Sequence, residues 1–176
     1  MIYNKFFKSS FFLLLLLFSN FVKAEQKIVY VDIDFIMNNS LAGKSITQQL
    51  NVINKSNLKA FNKSEESFKS EETKLLSQKN VLDETEFKKK IIFFREKLST
   101  YNVKKKATIN EFKKKRTNAQ NTLTNYLTTI LSNYSEENSI AMIILKQNIL
   151  LGKNELNITD NILKLLDNKI DNIKVK

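Results

Sequence analysis

The chain contains no proline, and between Gly43 and Gly152 it contains no glycine. These are the strongest local interrupters of a helix. Proline removes a backbone donor and clashes with the preceding turn, and glycine costs about 1 kcal/mol against alanine inside a helix. A stretch this long without either, rich in Lys, Asn, Leu and Ile, reads as mostly helix. Its apolar positions then say how the helix packs. Phe61, Phe68, Leu75 and Leu82 repeat at a spacing of seven. The positions that would complete a seam are polar: Ser64, Glu71 and Gln78 three residues on, or Glu65, Glu72 and Lys79 four on. A two-stranded coiled coil wants both positions apolar. The pattern therefore predicts a loosely zipped helix pair.

The break falls at Val81-Leu82-Asp83. Asp83 and Glu86 form a D-x-x-E pattern like a capping box, with Glu84 and Glu86 at the positive end of a helix that starts at Glu84. Phe87, Ile91, Phe94, Leu98 and Tyr101 continue at four-three spacing, one apolar stripe. Ile109, Phe112, Ala119, Leu123, Leu127, Ile130 and Tyr134 extend it to about Glu137. A turn at 81–83 makes the two helices antiparallel. It sets Leu75 against Ile91, Phe68 against Phe94 and Phe61 against Tyr101. At a rise of about 1.5 Å per residue the arms are roughly 55 Å and roughly 80 Å long.

The flanks differ. Lys27–Asp32 (KIVYVD) is a β-branched and aromatic run, read as a strand buried on both faces. Ile33–Asn39 is a short helix, interrupted at Ser40–Lys44. Ser139–Leu145 (SIAMIIL) is a second buried strand. Ile149–Leu151 is a third, after a hairpin turn at Lys146-Gln147-Asn148. Thr159 is the expected cap of a last helix from Asp160, with Ile162, Leu165, Leu166, Ile170 and Ile173 on its inner face. The fold class is α+β, predominantly helical. A small β-sheet body (25–43 and 138–176) carries a long antiparallel helical-hairpin arm (44–137) with its tip near 81–83.

The N-terminus reads as a leader. Met1–Lys8 carries Lys5 and Lys8, Phe11–Val22 is almost wholly apolar, and Val22-Lys23-Ala24 suits cleavage before Glu25. These are the parts of a secretory signal peptide, 1–24, cleaved after Ala24. The apolar run is shorter than the roughly 20 residues a spanning helix needs. The alternative is an uncleaved anchor. Export removes the protein from ATP and from the reducing cytosol.

Composition narrows the chemistry further. With Cys and His both at zero, the chain has no disulfide, no thiol nucleophile and no imidazole base, and it lacks the commonest zinc ligands. Two glycines cannot build a phosphate-cradling loop. No enzyme activity, metal or cofactor is expected. Charge placement is more informative. Asp83–Arg116 holds twelve basic and five acidic residues, whereas Thr117–Tyr134 holds no charge. Positive charge is segregated onto the arm.

The order of strand, long basic hairpin, strand pair and terminal helix behind a leader resembles the Skp (OmpH) family of periplasmic chaperones. The resemblance covers essentially all of the mature chain. It is carried by Ile28-Val29-Tyr30-Val31-Asp32, Gly43-Lys44, Asp83-Glu84-Thr85-Glu86-Phe87-Lys88-Lys89-Lys90 and Ala141-Met142-Ile143-Ile144-Leu145. Gln147-Asn148-Ile149-Leu150-Leu151 and Ile158-Thr159-Asp160-Asn161-Ile162 complete it. Two departures stand out. Residue 146 is Lys where an acid is common, and 117–134 is uncharged where members are usually mixed. The resemblance implies a homotrimer whose bodies join through their strands while three arms enclose a cavity for unfolded outer-membrane proteins. The residues point the same way. So small a body buries little apolar surface, and its strand edges need a neighbour.

The expected function is therefore an ATP-independent periplasmic holdase. Lys88, Lys89, Lys90, Lys97, Lys104, Lys105, Lys106, Lys113, Lys114, Lys115 and Arg116 would attract acidic clients. Phe93, on the helix face opposite Ile91, would serve as an aromatic anchor. Val29, Val31, Met142 and Ile144 are the expected subunit interface. The rival reading is an envelope scaffold or tether that uses the basic arm on an anionic membrane surface. Lipopolysaccharide is a further candidate partner, with no site assigned to it. Nucleic acid is not an expected partner, because no recognition motif accompanies the basic residues.

Overall fold

The computed structural model describes residues 27–176; the leader 1–24 and its cleavage point lie outside the described residues. The elements are β1 (Lys27–Val31), α1 (Ile33–Asn39), α2 (Leu41–Ser77), α3 (Glu84–Glu137), β2 (Ile140–Leu145) and α4 (Thr159–Lys169). The chain is predominantly helical with a small sheet, as its sequence predicts. β1 and β2 pair in parallel, with Val29 opposite Ile143 and Val31 opposite Leu145. A parallel pair needs a long crossover, and here the crossover is the whole hairpin.

Local chemistry fixes each corner. Asp32 Oδ1 accepts from the Phe35 N–H at 2.9 Å and starts α1. Ser40 is buried, and its Oγ accepts from the Gly43 N–H at 3.1 Å to start α2. Gly43 is required there: a Cβ would lie 1.9 Å from the Met37 carbonyl oxygen. Asp83 Oδ1 accepts from the N–H groups of Thr85 at 2.8 Å and Glu86 at 3.0 Å, so α3 begins at Glu84 as its cap predicts. α2 and α3 run 37 and 54 residues. Two of the three expected facing pairs are in direct contact. The rings of Phe68 and Phe94 meet edge to face at 6.0 Å, and the Tyr101 hydroxyl reaches the Phe61 carbonyl at 3.4 Å.

The body's core is Val29, Val31, Ile36, Ala42, Ile46, Ala119, Leu123, Leu127, Ile140, Ile158, Ile162, Leu166 and Ile173. It extends past residues 43 and 137, because the root of α2 (Ala42, Ile46) and the C-terminal part of α3 (Ala119, Leu123, Leu127) supply five of its thirteen residues. The C-terminal segment closes it. Gln49 Nε2 donates to the Ile173 carbonyl at 2.8 Å, and Gln49 Oε1 accepts from the Val175 N–H at 3.1 Å.

Five expectations are corrected. There is no third strand at Ile149–Leu151 and no hairpin turn before it. Lys146–Asn148 is a 3-10 turn, and the far edge of β1 is taken at Asn157 and Ile158 instead, with the Ile158 N–H donating to the Tyr30 carbonyl at 2.9 Å. β2 is not a buried strand: Ala141, Met142 and Leu145 are exposed. On the outer face the loop at Ile149 and Gly152 covers Tyr30 and leaves the paired Ile28 and Met142 exposed. Thr159 is not a cap. Its hydroxyl accepts from the Asp32 N–H at 2.9 Å and donates to Asn157 Oδ1 at 2.6 Å, which ties α4 to the end of β1. Leu165 faces outward and Leu163 takes the inner position. Ile109 is exposed, and the seam of α3 passes through Lys105 and Thr108 instead, which keep the four-three spacing from Tyr101 to Phe112.

Candidate cationic and aromatic face of the arm

The polar seam is paired rather than empty. Ser64, Glu71 and Gln78 sit half-buried in line with Phe61, Phe68 and Leu75. Lysines of α3 answer two of them. Lys90 Nζ donates to Gln78 Oε1 at 3.0 Å, and Lys97 Nζ donates to both Glu71 oxygens, at 2.8 and 3.1 Å. Deeper along the arm Lys105 binds Glu65, whose Oε1 also accepts from the Tyr101 hydroxyl at 2.9 Å. Two lysines lie over aromatic rings as well. Lys97 Nζ is 5.0 Å from the Phe93 centroid, and Lys105 Nζ is 5.3 Å from that of Phe61 and 5.9 Å from that of Tyr101.

The protonation equilibria follow from these bonds. The hydrogen bond from Lys105, and then that from Tyr101, hold the Glu65 carboxyl below its usual range. Glu65 in turn pushes Lys105 up. Desolvation is the first cause that raises the Tyr101 phenol, and its bond to Glu65 is the second. In the body, the Phe35 N–H and then the Lys146 ammonium, 3.0 Å away, lower Asp32.

The lysines named from sequence thus divide into two groups. Lys97 and Lys105 are engaged across the hairpin, and Lys90 is held by Gln78. Lys88 and Lys115 pair along α3 with Glu84 at 2.6 Å and Glu111 at 3.3 Å. Lys89, Lys104, Lys106, Lys113, Lys114 and Arg116 are exposed and make no ion pair among the described residues. Arg116 borders a cleft of about 390 Å³ at the arm's root, with Asn51, Asn54, Phe112 and Gln120. Phe93 is 59% exposed, and its neighbour Ile92 is exposed too.

At the body, Val29 and Val31 are only 1% exposed and belong to the subunit's own core, so their side chains are not available to a neighbour. Strand alternation puts Ile28 and Tyr30 on the outer face, opposite Met142 and Ile144. Sequence reasoning missed Ile28, and it missed Leu150 and Leu151, which are 104% and 94% exposed on the loop that crosses Tyr30. It also missed Glu65 and Glu71 as partners of the arm lysines. The predicted register, with Phe68 against Phe94, already set Glu71 near Lys97.

Among the described residues no cluster of His, Cys, Asp or Glu can hold a metal ion, and no helix is long and apolar enough to cross a membrane. A search of curated proteins finds no match. The chain is similar in fold to the crystal structure of a proposed OmpH-like outer membrane chaperone from Caulobacter crescentus CB15. The TM-score is 0.78 at 15% identity, over 85% of this chain and 88% of that one. The model of the family described as outer membrane protein (OmpH-like) matches residues 27–166, so the chain belongs to the OmpH-like family.

Proposed function

We propose that the protein is an ATP-independent holdase of the periplasm that keeps unfolded outer-membrane proteins soluble in transit. The observation that carries this reading is the composition of the arm's surface. Lysines from Lys89 to Lys114 that are unpaired among the described residues share an exposed helix with Ile92 and Phe93. Such a surface attracts acidic chains at long range and holds apolar segments weakly, without demanding one geometry. Family membership supports the same reading.

Assembly is part of the proposal. Ile28, Met142, Leu150 and Leu151 form an apolar region on and beside the outer face of a two-stranded sheet. An open sheet with an apolar face invites pairing with a neighbour. Three bodies joined there would set three arms around a cavity. The test is direct. Purified mature protein, without nucleotide, is expected to keep a urea-diluted outer-membrane barrel protein in the supernatant. Conversion of Lys88–Lys90 and Lys113–Lys115 to Glu should slow capture and flatten its salt dependence. Aggregation of the client at the same rate with and without the protein would defeat the proposal.

A further inference from the structure

Lys97 is held in an unusual way for a surface lysine. Its ammonium contacts both Glu71 oxygens and lies over the Phe93 ring, yet the side chains of Lys97 and Glu71 are 43% and 34% exposed and Phe93 is 59% exposed. The ion pair is therefore wet, and wet ion pairs contribute little net stability. Breaking it against a second carboxylate changes almost nothing, because one carboxylate replaces another on the same ammonium. Phe93 keeps an open face beside that ammonium. A chain that brought an acid together with an apolar side chain could satisfy both at once, which Glu71 cannot do.

We infer that Lys97 and Phe93 form a binding site for an acidic residue flanked by an apolar one in an unfolded client, and that Glu71 occupies the site as an intramolecular stand-in. The inference rests on the holdase reading and names the segment chemistry that one part of the arm selects. Glu71 acts as an intramolecular competitor, presented to the ammonium by the hairpin itself. Simple polyanions gain nothing from Phe93 and compete poorly. Segments with alternating acidic and apolar residues gain the ring contact and displace Glu71. Glu71 weakens every carboxylate ligand of Lys97 by the same factor, so selectivity arises from the Phe93 contact, which a bare lysine patch would lack.

The neighbouring pair supplies a contrast within the same arm. Lys105 and Glu65 have the same chemistry, but Glu65 also accepts from Tyr101, and Lys105 sits against both Phe61 and Tyr101. That carboxylate has two donors, and the rings beside the lysine are half-buried in the seam. The Lys105 pair is a fastening; the Lys97 pair is an exchangeable occupant.

The experiment uses the full mature chain and three labelled, unstructured peptides. One interleaves Glu with Phe and Leu, one replaces each Glu by Gln, and one is polyglutamate. Glu71→Gln is expected to tighten the acidic-apolar peptide about two- to fivefold and to leave the Gln peptide unchanged. Phe93→Ser added to Glu71→Gln should remove that gain. Glu65→Gln should give no gain and should speed amide exchange in the arm. A fluorine label on Phe93 of the unsubstituted chain should shift saturably with the acidic-apolar peptide, a readout that does not depend on how any variant folds. Three results would overturn the inference: no fluorine shift, no gain from Glu71→Gln, or polyglutamate binding as tightly as the acidic-apolar peptide. Any of these with barrel-protein holding intact removes this site and leaves the holdase reading standing. Loss of holding by the unsubstituted protein removes the broader reading instead.

Discussion

Phe93 and Phe94 are adjacent in sequence and opposite in role, and alanine at each separates them. Phe94 is half-buried and meets the Phe68 ring edge to face. A fully buried Phe→Ala costs about 3–5 kcal/mol, so half burial accounts for about 2 kcal/mol. The aromatic pair adds about 0.5–1.5 kcal/mol. The expected loss is about 2.5–3.5 kcal/mol, confined to the arm, because Phe94 touches none of the body's core. Phe93→Ala removes one exposed cation–π contact of about 0.5–1 kcal/mol. It also replaces a middling helix former by the best one, which returns several tenths of a kcal/mol. Its net effect is expected to stay under about 1 kcal/mol. Native-state amide exchange reads the arm separately from the body. At 1.4 kcal/mol per factor of ten, Phe94→Ala should speed exchange in the segments around 64–75 and 91–101 by about 60- to 300-fold. Phe93→Ala should change it less than about fivefold while weakening client holding. Equal acceleration by the two variants would refute both the hairpin register and the anchor assignment.

Three further outcomes are expected. Asp83→Ala deletes two bonds to the first turn of α3 and should cost about 0.5–2 kcal/mol, seen as lost exchange protection at Thr85 and Glu86. The clasp of Glu65, Tyr101 and Lys105 should protect the arm between about pH 4.5 and 10. Glu65 lies below its ordinary value of 4.5, so its contribution is lost as pH falls through the depressed folded value. Tyr101 and Lys105 lie above 10.0 and 10.5, so theirs is lost as pH rises through the raised ones; arm exchange that ignores pH at both ends would contradict the clasp. Leu150→Glu with Leu151→Glu should convert the proposed trimer to monomer without altering the monomer's packing, since both side chains are exposed; an unchanged sedimentation coefficient would place the interface elsewhere.

The arm was legible because its signals are local. Missing breakers, the Asp83 cap and the spacing of seven lie within a few residues of what they determine. They gave the start of α3, its end at Glu137 and the pairing of Phe68 with Phe94. The body was less legible because its signals are not local. Ile149–Leu151 has strand composition, but a strand needs an edge, and β1's free edge was taken by Asn157 and Ile158. Thr159 looks like a cap until Asp32, 127 positions away, donates to it. The site divides the same way. Runs of lysine are plain in the sequence. Which lysines are already bound is decided by partners 26 and 40 positions distant on another helix.

The distribution of pairing along the hairpin gives the arm a gradient. At its root α3 packs Ala119, Leu123 and Leu127 into the body's core, where each buried methylene contributes about 0.8 kcal/mol. Halfway out, Phe61, Phe68, Phe94 and Tyr101 form a half-buried aromatic cluster. Beyond it the seam depends on Glu71 with Lys97 and Gln78 with Lys90, both wet and both weak, though Leu75 beside them is buried. Cohesion between the helices therefore falls from body to tip, while helical propensity and the Asp83 cap keep each helix intact. An arm built this way can splay near its end without unfolding at its base. On the proposed holdase reading, its outer half would adjust to chains of many shapes, while the energy that fixes the proposed assembly would stay in the body, where no client needs to bind.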